Sequence, residues 1–397
     1  MSMEWIEKNL DLINKKLIYP DIKTISSAAG PVVKIDGKEV LMFSTNSYLG
    51  LTTHPDVKRA AIEAIEKYGT GAGGSRILSG NFAVHQQLED KLAELKSTES
   101  ALVYPSGYST NIGAIHALTH SFGFELIKKK FIILSDKLNH ASIIDGCKMG
   151  NSVKVVVYNH NDADDLESKL KKYKSNRKLV ITDSLFSMNG DIAPLDKIYP
   201  LTKKYNSLLM IDEAHSTATL GRNGRGALEH FDMQNVANKI IIMGTLSKAL
   251  AGQGGFIAGK KSLIDYLRVA SRSYMFSTAL TPAAAASVIA AINVVLKDNH
   301  LINKLHENTI YIKEKLTNLG FDILGSQSQI VPILIGDEEK AIETSKKLFE
   351  KGIFAPCARW PAVEKGKARI RITIMALHTK EQIDFFIEAF NKIIREN

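Results

Sequence analysis

A series of short apolar runs, free of the polar alternation that marks a half-solvated strand, recurs through the first two-thirds of the chain. They are Ala101-Leu-Val-Tyr104, Phe131-Ile-Ile-Leu134, Val153-Lys-Val-Val-Val157, Leu179-Val-Ile-Thr182, Leu208-Leu-Met-Ile211 and Lys239-Ile-Ile-Ile-Met243. Stretches with helical spacing separate them, including 85–96, 106–118, 162–174 and 195–205. Strands covered on both faces and alternating with helices predict an α/β fold built on a mostly parallel sheet. The polar residues have a telling position. Ser106, Asp136, His140, Ser187, Asp212, His215 and Lys248 all fall just after a predicted strand. In open α/β sheets that edge is where ligands bind.

The pattern divides the chain into an N-terminal arm and hairpin (1–50), a large domain (51–282) and a smaller α+β C-terminal domain (283–397). The arm predicts a helix from Trp5 to Leu17, then a hairpin with Asp36-Gly37 at its turn. Gly69-Thr-Gly-Ala-Gly-Gly-Ser-Arg76 is too rich in glycine for a helix or a central strand, and predicts a loop of close backbone approach. Beyond Pro282, helices are predicted at 283–296, 300–319, 338–351 and 379–394, with short strands near 330–335 and 368–374.

Composition excludes several classes. With 45% hydrophobic and 23% charged residues over 397 positions, the chain is globular rather than disordered. The two cysteines, Cys147 and Cys357, make neither a disulfide framework nor a four-thiolate metal site, which favours a reducing cytoplasm. No apolar run reaches the roughly 20 residues of a membrane helix. The N-terminal stretch lacks the apolar core of a signal peptide. A net charge of +9 is spread without a basic arm or an Arg/aromatic cluster, so nucleic acid is not the expected partner; small polyanionic substrates are.

Lys248 sits in Gly244-Thr-Leu-Ser-Lys-Ala-Leu-Ala-Gly-Gln-Gly-Gly255, a Gly- and hydroxyl-rich loop following a buried strand. A solvated loop lysine is the ordinary alternative, but a desolvated one loses its proton easily and forms a Schiff base with a carbonyl. Asp212 ends another buried strand and is placed to pair with a pyridine nitrogen; a helix cap or metal ligand are its plainer readings. Asp212-Glu-Ala-His215 also occurs in helicases, but no phosphate loop of the form Gly-x4-Gly-Lys-Ser/Thr accompanies it. Ser106-Gly107-Tyr108 at a helix start, with Thr245 and Ser247 beside the lysine, suits a phosphate dianion. His140 and His215 are candidates to stack on an aromatic cofactor and to bond its phenolate.

In order, Asp136-x-x-Asn-His140-Ala-Ser-Ile-Ile-Asp-Gly146, Phe186-Ser-Met-x-Gly-Asp191, Asp212-Glu-Ala-His215 and Gly244-Thr-Leu-Ser-Lys248-Ala form a set. That set resembles the α-oxoamine synthases, fold-type I pyridoxal 5'-phosphate (PLP) enzymes, over Phe43 to about Ile387. The resemblance implies a seven-stranded-type sheet, PLP as cofactor, and condensation of a small amino acid with an acyl-CoA thioester, usually with decarboxylation. It implies Lys248 as the Schiff-base lysine and acid–base group. Asp212 would sit on the pyridine nitrogen, His140 on the ring, and His215 and Ser187 at the phenolate. Ser106, Gly107, Tyr108 and Thr245 would hold the phosphate, with Ser277 and Thr278 from a partner subunit, hence a homodimer. Asn46 and Arg371 would contact the amino acid, Arg371 by its guanidinium fork on the carboxylate. The chain departs from the family pattern at Ser47, Asn189 and Arg359-Trp360-Pro361, which leaves the acyl pocket open. A non-catalytic scaffold paralogue and an aminotransferase of the same fold are the competing classes. The retained Lys248, Asp212 and His215 argue against the first.

Overall fold

The computed structural model describes residues 3–15, 22–120, 131–149 and 153–396. Its centre is a seven-stranded sheet, ordered β3-β9-β8-β7-β6-β4-β5. The strands are β3 (Ser100–Tyr104), β4 (Phe131–Asp136), β5 (Val153–Tyr158), β6 (Arg177–Asp183), β7 (Leu208–Asp212), β8 (Ile241–Thr245) and β9 (Gly255–Gly259). β4 to β8 run parallel, and β9 is antiparallel to both β8 and β3.

The unbroken apolar runs are explained by two cores, one on each face. Leu102, Ile133, Ile181, Met210, Met243 and Ile257 face helices Gly107–Thr119, Ala141–Lys148 and Lys261–Ala270. Val103, Leu134, Val180, Ile211, Ile242 and Phe256 join the other core, which takes in helices Ala83–Lys96, Ala163–Lys172 and Pro282–Lys297. Side chains alternate between faces, so strands buried twice read as continuous hydrophobic sequence.

Two local expectations need correction. β8 starts two residues later than its apolar run, because Lys239 ends a 3-10 turn (Gln234–Lys239), and it continues through Gly244 and Thr245. Gly244 is a strand residue on packing grounds: a methyl group there would lie 2.4 Å from Phe256 Cζ. The run at 153–157 is an edge strand, not a covered one. Val155 and Val157 are 37% and 54% exposed.

The N-terminal helix is Glu4–Lys15; Lys16 and Leu17 lie outside the described residues. The hairpin β1 (Val32–Ile35) and β2 (Lys38–Met42) turns at Asp36 and Gly37, with φ of 50° and 77°. Positive φ at both central residues matches the right-handed twist of the flanking strands. β2 pairs in parallel with β11 (Ile353–Phe354) of the C-terminal segment. There, β10 (Ile330–Gly336), β13 (Ala368–Thr373) and β12 (Cys357–Ala358) form a second antiparallel sheet flanked by Glu338–Glu350 and Lys380–Glu396. Among the described residues no single helix is long and apolar enough to cross a membrane.

Candidate active site

The parallel strands end together at one cleft of about 260 Å³. Its walls include Ser106, Gly107, Tyr108, His140, Ser187, Asp212, His215, Thr245, Ser247 and Lys248, ten residues named from sequence, drawn from five separate strand ends. The other lining residues are Asn111, Ser142, Asp183, Ala214 and Met243.

Lys248 lies three residues beyond β8, half-buried, with its Nζ 2.8 Å from His215 Nε2. No carboxylate bonds it directly among the described residues. Burial, partly opposed by Asp212 and Asp183 and reinforced by Arg371, pushes its pKa down to about 8. His215 is buried, and burial together with the charge on Lys248 holds its imidazole well below the usual range, so the ring is neutral. Its Nδ1 is 2.7 Å from the Tyr48 hydroxyl, which is 3.1 Å from Asn46 Oδ1. Donors then run in one direction: Lys248 to Nε2, Nδ1–H to Tyr48, Tyr48 to Asn46. Burial pushes the Tyr48 phenol up to about 12, keeping it a neutral donor.

Asp212 ends β7 with both oxygens engaged. The Ala214 amide donates to Oδ1 at 2.8 Å and Asn111 Nδ2 to Oδ2 at 2.7 Å. Asp183 ends β6 directly beside it in register. Burial, then the neighbouring Asp212, raises Asp183 well above the carboxylate range, so it carries a proton. His140 caps helix Ala141–Lys148, its Nδ1 taking the Ser142 amide and lying 2.7 Å from Ser142 Oγ. Burial lowers its pKa, which favours a neutral ring at the cleft mouth.

One end of the cleft forms where helix Gly107–Thr119 begins. Ser106 Oγ caps the Ser109 amide at 3.1 Å, leaving the Gly107 and Tyr108 amides as donors of a helix start with no partner among the described residues. Thr245 Oγ1 and Ser247 Oγ, 2.9 Å apart, close the opposite side. Gly255 permits this closeness, since a methyl group there would be 2.7 Å from Gly107 Cα.

Four sequence candidates fall outside the cleft lining. Asn46 connects through Tyr48, and Arg371 Nε donates to the Ser187 carbonyl at 2.5 Å. Ser277 and Thr278 lie on a segment that bridges the glycine-rich loop through Ser75, and Ala279 donates to Gly74 at 2.9 Å. Sequence reading passed over Asn111 and Asp183. Asp183 had a signal, since it ends a predicted strand; Asn111 had none, because only helix packing turns it toward Asp212.

The donor set fits PLP. An amine of lowered pKa, a carboxylate, a neutral imidazole and a helix-start anion cradle share one cleft, and the buried Asn111 Oδ1 there has no partner among the described residues.

A family model described as aminotransferase class I and II matches residues 38–390. The 8-amino-7-oxononanoate synthase of Thermoanaerobacter pseudethanolicus is 46% identical over 99% of this chain and 97% of its own length. A serine palmitoyltransferase from S. paucimobilis, solved with a PLP–myriocin aldimine, superposes with a TM-score of 0.90 at 31% identity, covering 99% and 97% of the two chains. The 8-amino-7-oxononanoate synthase structure from Francisella tularensis gives a TM-score of 0.75 at 27% identity, covering 90% and 98%. The motifs, the sheet and these relatives agree: the chain belongs to the aminotransferase class I and II family, in its α-oxoamine synthase branch.

Proposed function

We propose that the protein is a PLP-dependent C-acyltransferase that condenses L-alanine with a pimeloyl thioester, releasing carbon dioxide and giving 8-amino-7-oxononanoate for biotin synthesis. The observation that carries the PLP chemistry is Lys248 facing neutral His215 in a cleft shared with Asp212 and a helix-start anion site. The choice of alanine and pimeloyl rests on full-length relatives of that name at 42–46% identity. The Gly71–Gly80, Ser106-Gly107-Tyr108 and Phe276–Leu280 stretches resemble the same enzyme.

PLP, when bound, supplies an aldehyde for imine formation and a ring that withdraws electrons from the substrate's α-carbon. Asp212 would keep the pyridine nitrogen protonated; its two hydrogen bonds hold it as an acceptor facing the cleft. Lys248 would hold the cofactor, then move a proton at the α-carbon; a pKa of about 8 suits that exchange near neutrality. Ser187 would bond the phenolate oxygen, as would His215 once its proton sits on Nε2 and its Nδ1 accepts from Tyr48, and His140 would cover the ring. Gly107 and Tyr108 amides, Ser106, Thr245 and Ser247 would take the phosphate, which anchors without reacting. Arg371, already tied to the loop carrying Ser187, would orient the amino-acid carboxylate.

Ser277 and Thr278, away from their own chain's cleft, fit a contribution to a second subunit's phosphate site. We place the enzyme as a cytoplasmic homodimer on that ground and on its free Cys147 and Cys357. The three segments 1–50, 51–282 and 283–397 remain the working domain division.

The test is a matrix of glycine, alanine and serine against acetyl-, pimeloyl- and palmitoyl-CoA, reading thiol release. Alanine with pimeloyl-CoA should dominate. Dominance of glycine with acetyl-CoA would reassign the protein to a glycine C-acetyltransferase. Serine with palmitoyl-CoA would reassign it to a serine palmitoyltransferase-like enzyme, whose fold it shares. No thiol release, with amino transfer to 2-oxo acids, would refute acyl transfer altogether.

A further inference from the structure

His160 lies outside the cleft, yet its ring joins two of the segments that build it. Its Nδ1 is 2.9 Å from Asp136 Oδ1 and its Nε2 2.6 Å from Asp191 Oδ2. The side chain is 20% exposed, against 0% for Asp136 and 19% for Asp191. Asp136 ends β4 and opens the turn that leads to His140, its carboxylate accepting the Leu138 and Asn161 amides at 2.8 and 2.9 Å. Asp191 closes the loop carrying Ser187, whose ends are joined by the Phe186 amide on the Asp191 carbonyl at 3.0 Å. Phe186 packs edge-on against the imidazole at 4.4 Å between centroids. Asn161 Nδ2 adds a bond to Asp191 at 2.9 Å.

A ring that bonds a carboxylate at each nitrogen must donate twice, and only the imidazolium has two N–H groups. We propose that charged His160 is a positioning residue: bridging Asp136 and Asp191, it fixes the turn carrying His140 and the loop carrying Ser187 in one register around the cofactor cleft. The opposite side of that loop is held by the C-terminal segment, through Arg369 on Asn189 at 2.7 Å and Arg371 on Ser187. The loop is thus gripped by cations on two sides, and only His160 titrates in an accessible range. The charged groups facing its ring are Asp136 from β4 and Asp191 from the loop. Burial alone would lower its pKa, but the hydrogen bonds to these two carboxylates outweigh that and raise it from 6.5 to about 9. The grip is therefore complete at neutral pH and is lost as pH rises through about 9.

The inference rests on the PLP reading only in taking His140 and Ser187 as cofactor contacts, so its test has one arm without cofactor. Wild type and His160→Gln are compared at about pH 7 and about pH 10, on either side of the transition. In the cofactor-free protein, hydrogen–deuterium exchange of the 186–191 peptide, corrected for intrinsic rates, should be faster in the variant at the lower pH by about tenfold, the scale of one charge-assisted hydrogen bond. At the higher pH the two proteins should converge. The PLP dissociation constant should show the same ratio and the same convergence; the titration of Lys248, common to both proteins, cancels. Asp191→Asn added to His160→Gln should cost nothing further. A ratio that stays constant across pH would mean shape alone matters and would overturn the proposal, as would equal exchange at both pH values. If neither protein binds PLP, the cofactor reading fails and the exchange arm still decides the clamp.

Discussion

Lys96 is buried and Lys248 half-buried, and what faces their ammonium groups differs. Lys96 Nζ lies 2.5 Å from Glu213 Oε2 and 2.8 Å from the Arg225 carbonyl, its side chain and that of Glu213 each 1% exposed. Burial draws its pKa down while the adjacent carboxylate opposes that, and the pair closes on itself. Lys248 has a neutral imidazole for its neighbour instead, and a cleft in front of it. Glu213 directly follows Asp212, so one turn supplies a structural carboxylate to one lysine and a facing carboxylate to the other's cleft. Burial by itself does not make a lysine reactive; withholding its counterion at bonding distance does.

The largest break in this comparison is chemical. Lys248→Ala should lower turnover by roughly three or more powers of ten, the scale of removing a covalent catalyst, while leaving the thermal melt of the cofactor-free protein near wild type. Borohydride reduction of wild type with PLP should fix the cofactor on Lys248 in a peptide map. Reduction onto Lys96 or onto no lysine would contradict the assignment.

Lys96→Ala should do the reverse. It strands Glu213 in the core and should cost about 3–5 kcal/mol of unfolding free energy in a denaturant titration, with activity per folded molecule retained. The double variant Lys96→Met/Glu213→Leu should recover part of that loss, since no unpaired charge remains. A double variant as unstable as the single would show that the ion pair is not the source of the cost.

The smallest expected effect is a matter of pH. The amine of Lys248 must be neutral to capture PLP, so the capture rate in stopped-flow absorbance should rise with pH and level off above about 8. Between that value and 10.5 the unfolded chain binds more protons at this lysine than the folded one, so its contribution to stability rises with pH. A rate limb that climbs on to 10.5 would place Lys248 in a solvated setting and erase the contrast with an ordinary surface lysine.

The apolar runs at 131–134, 179–182 and 208–211 became β4, β6 and β7, because a strand covered on both faces leaves an unambiguous hydrophobic signature. The C-terminal helices at 300–318 and 380–396 were as readable, from their amphipathic spacing. Val153–Val157 misled because apolar composition does not say whether a strand lies inside a sheet or at its edge. Lys239–Met243 was displaced by two residues because Lys239 ends a 3-10 turn and because Gly244 looks like a loop residue until the Phe256 ring is seen in the space of its missing side chain.

In the site, the sequence alone determined which candidate groups would share one cleft. Lys248, Asp212, His215, His140 and the Ser106 helix start follow strands, and strand ends in this architecture converge on one edge. Tertiary structure decided how those groups are tuned. Asn111 bonds Asp212 across 101 positions, Tyr48 bonds His215 across 167, and Asp183 takes the proton because it is buried and a parallel register sets it beside Asp212. Those relations depend on which segments become neighbours and on how much water is excluded between them. Local residue pattern encodes neither, because both are set by the packing of the whole chain.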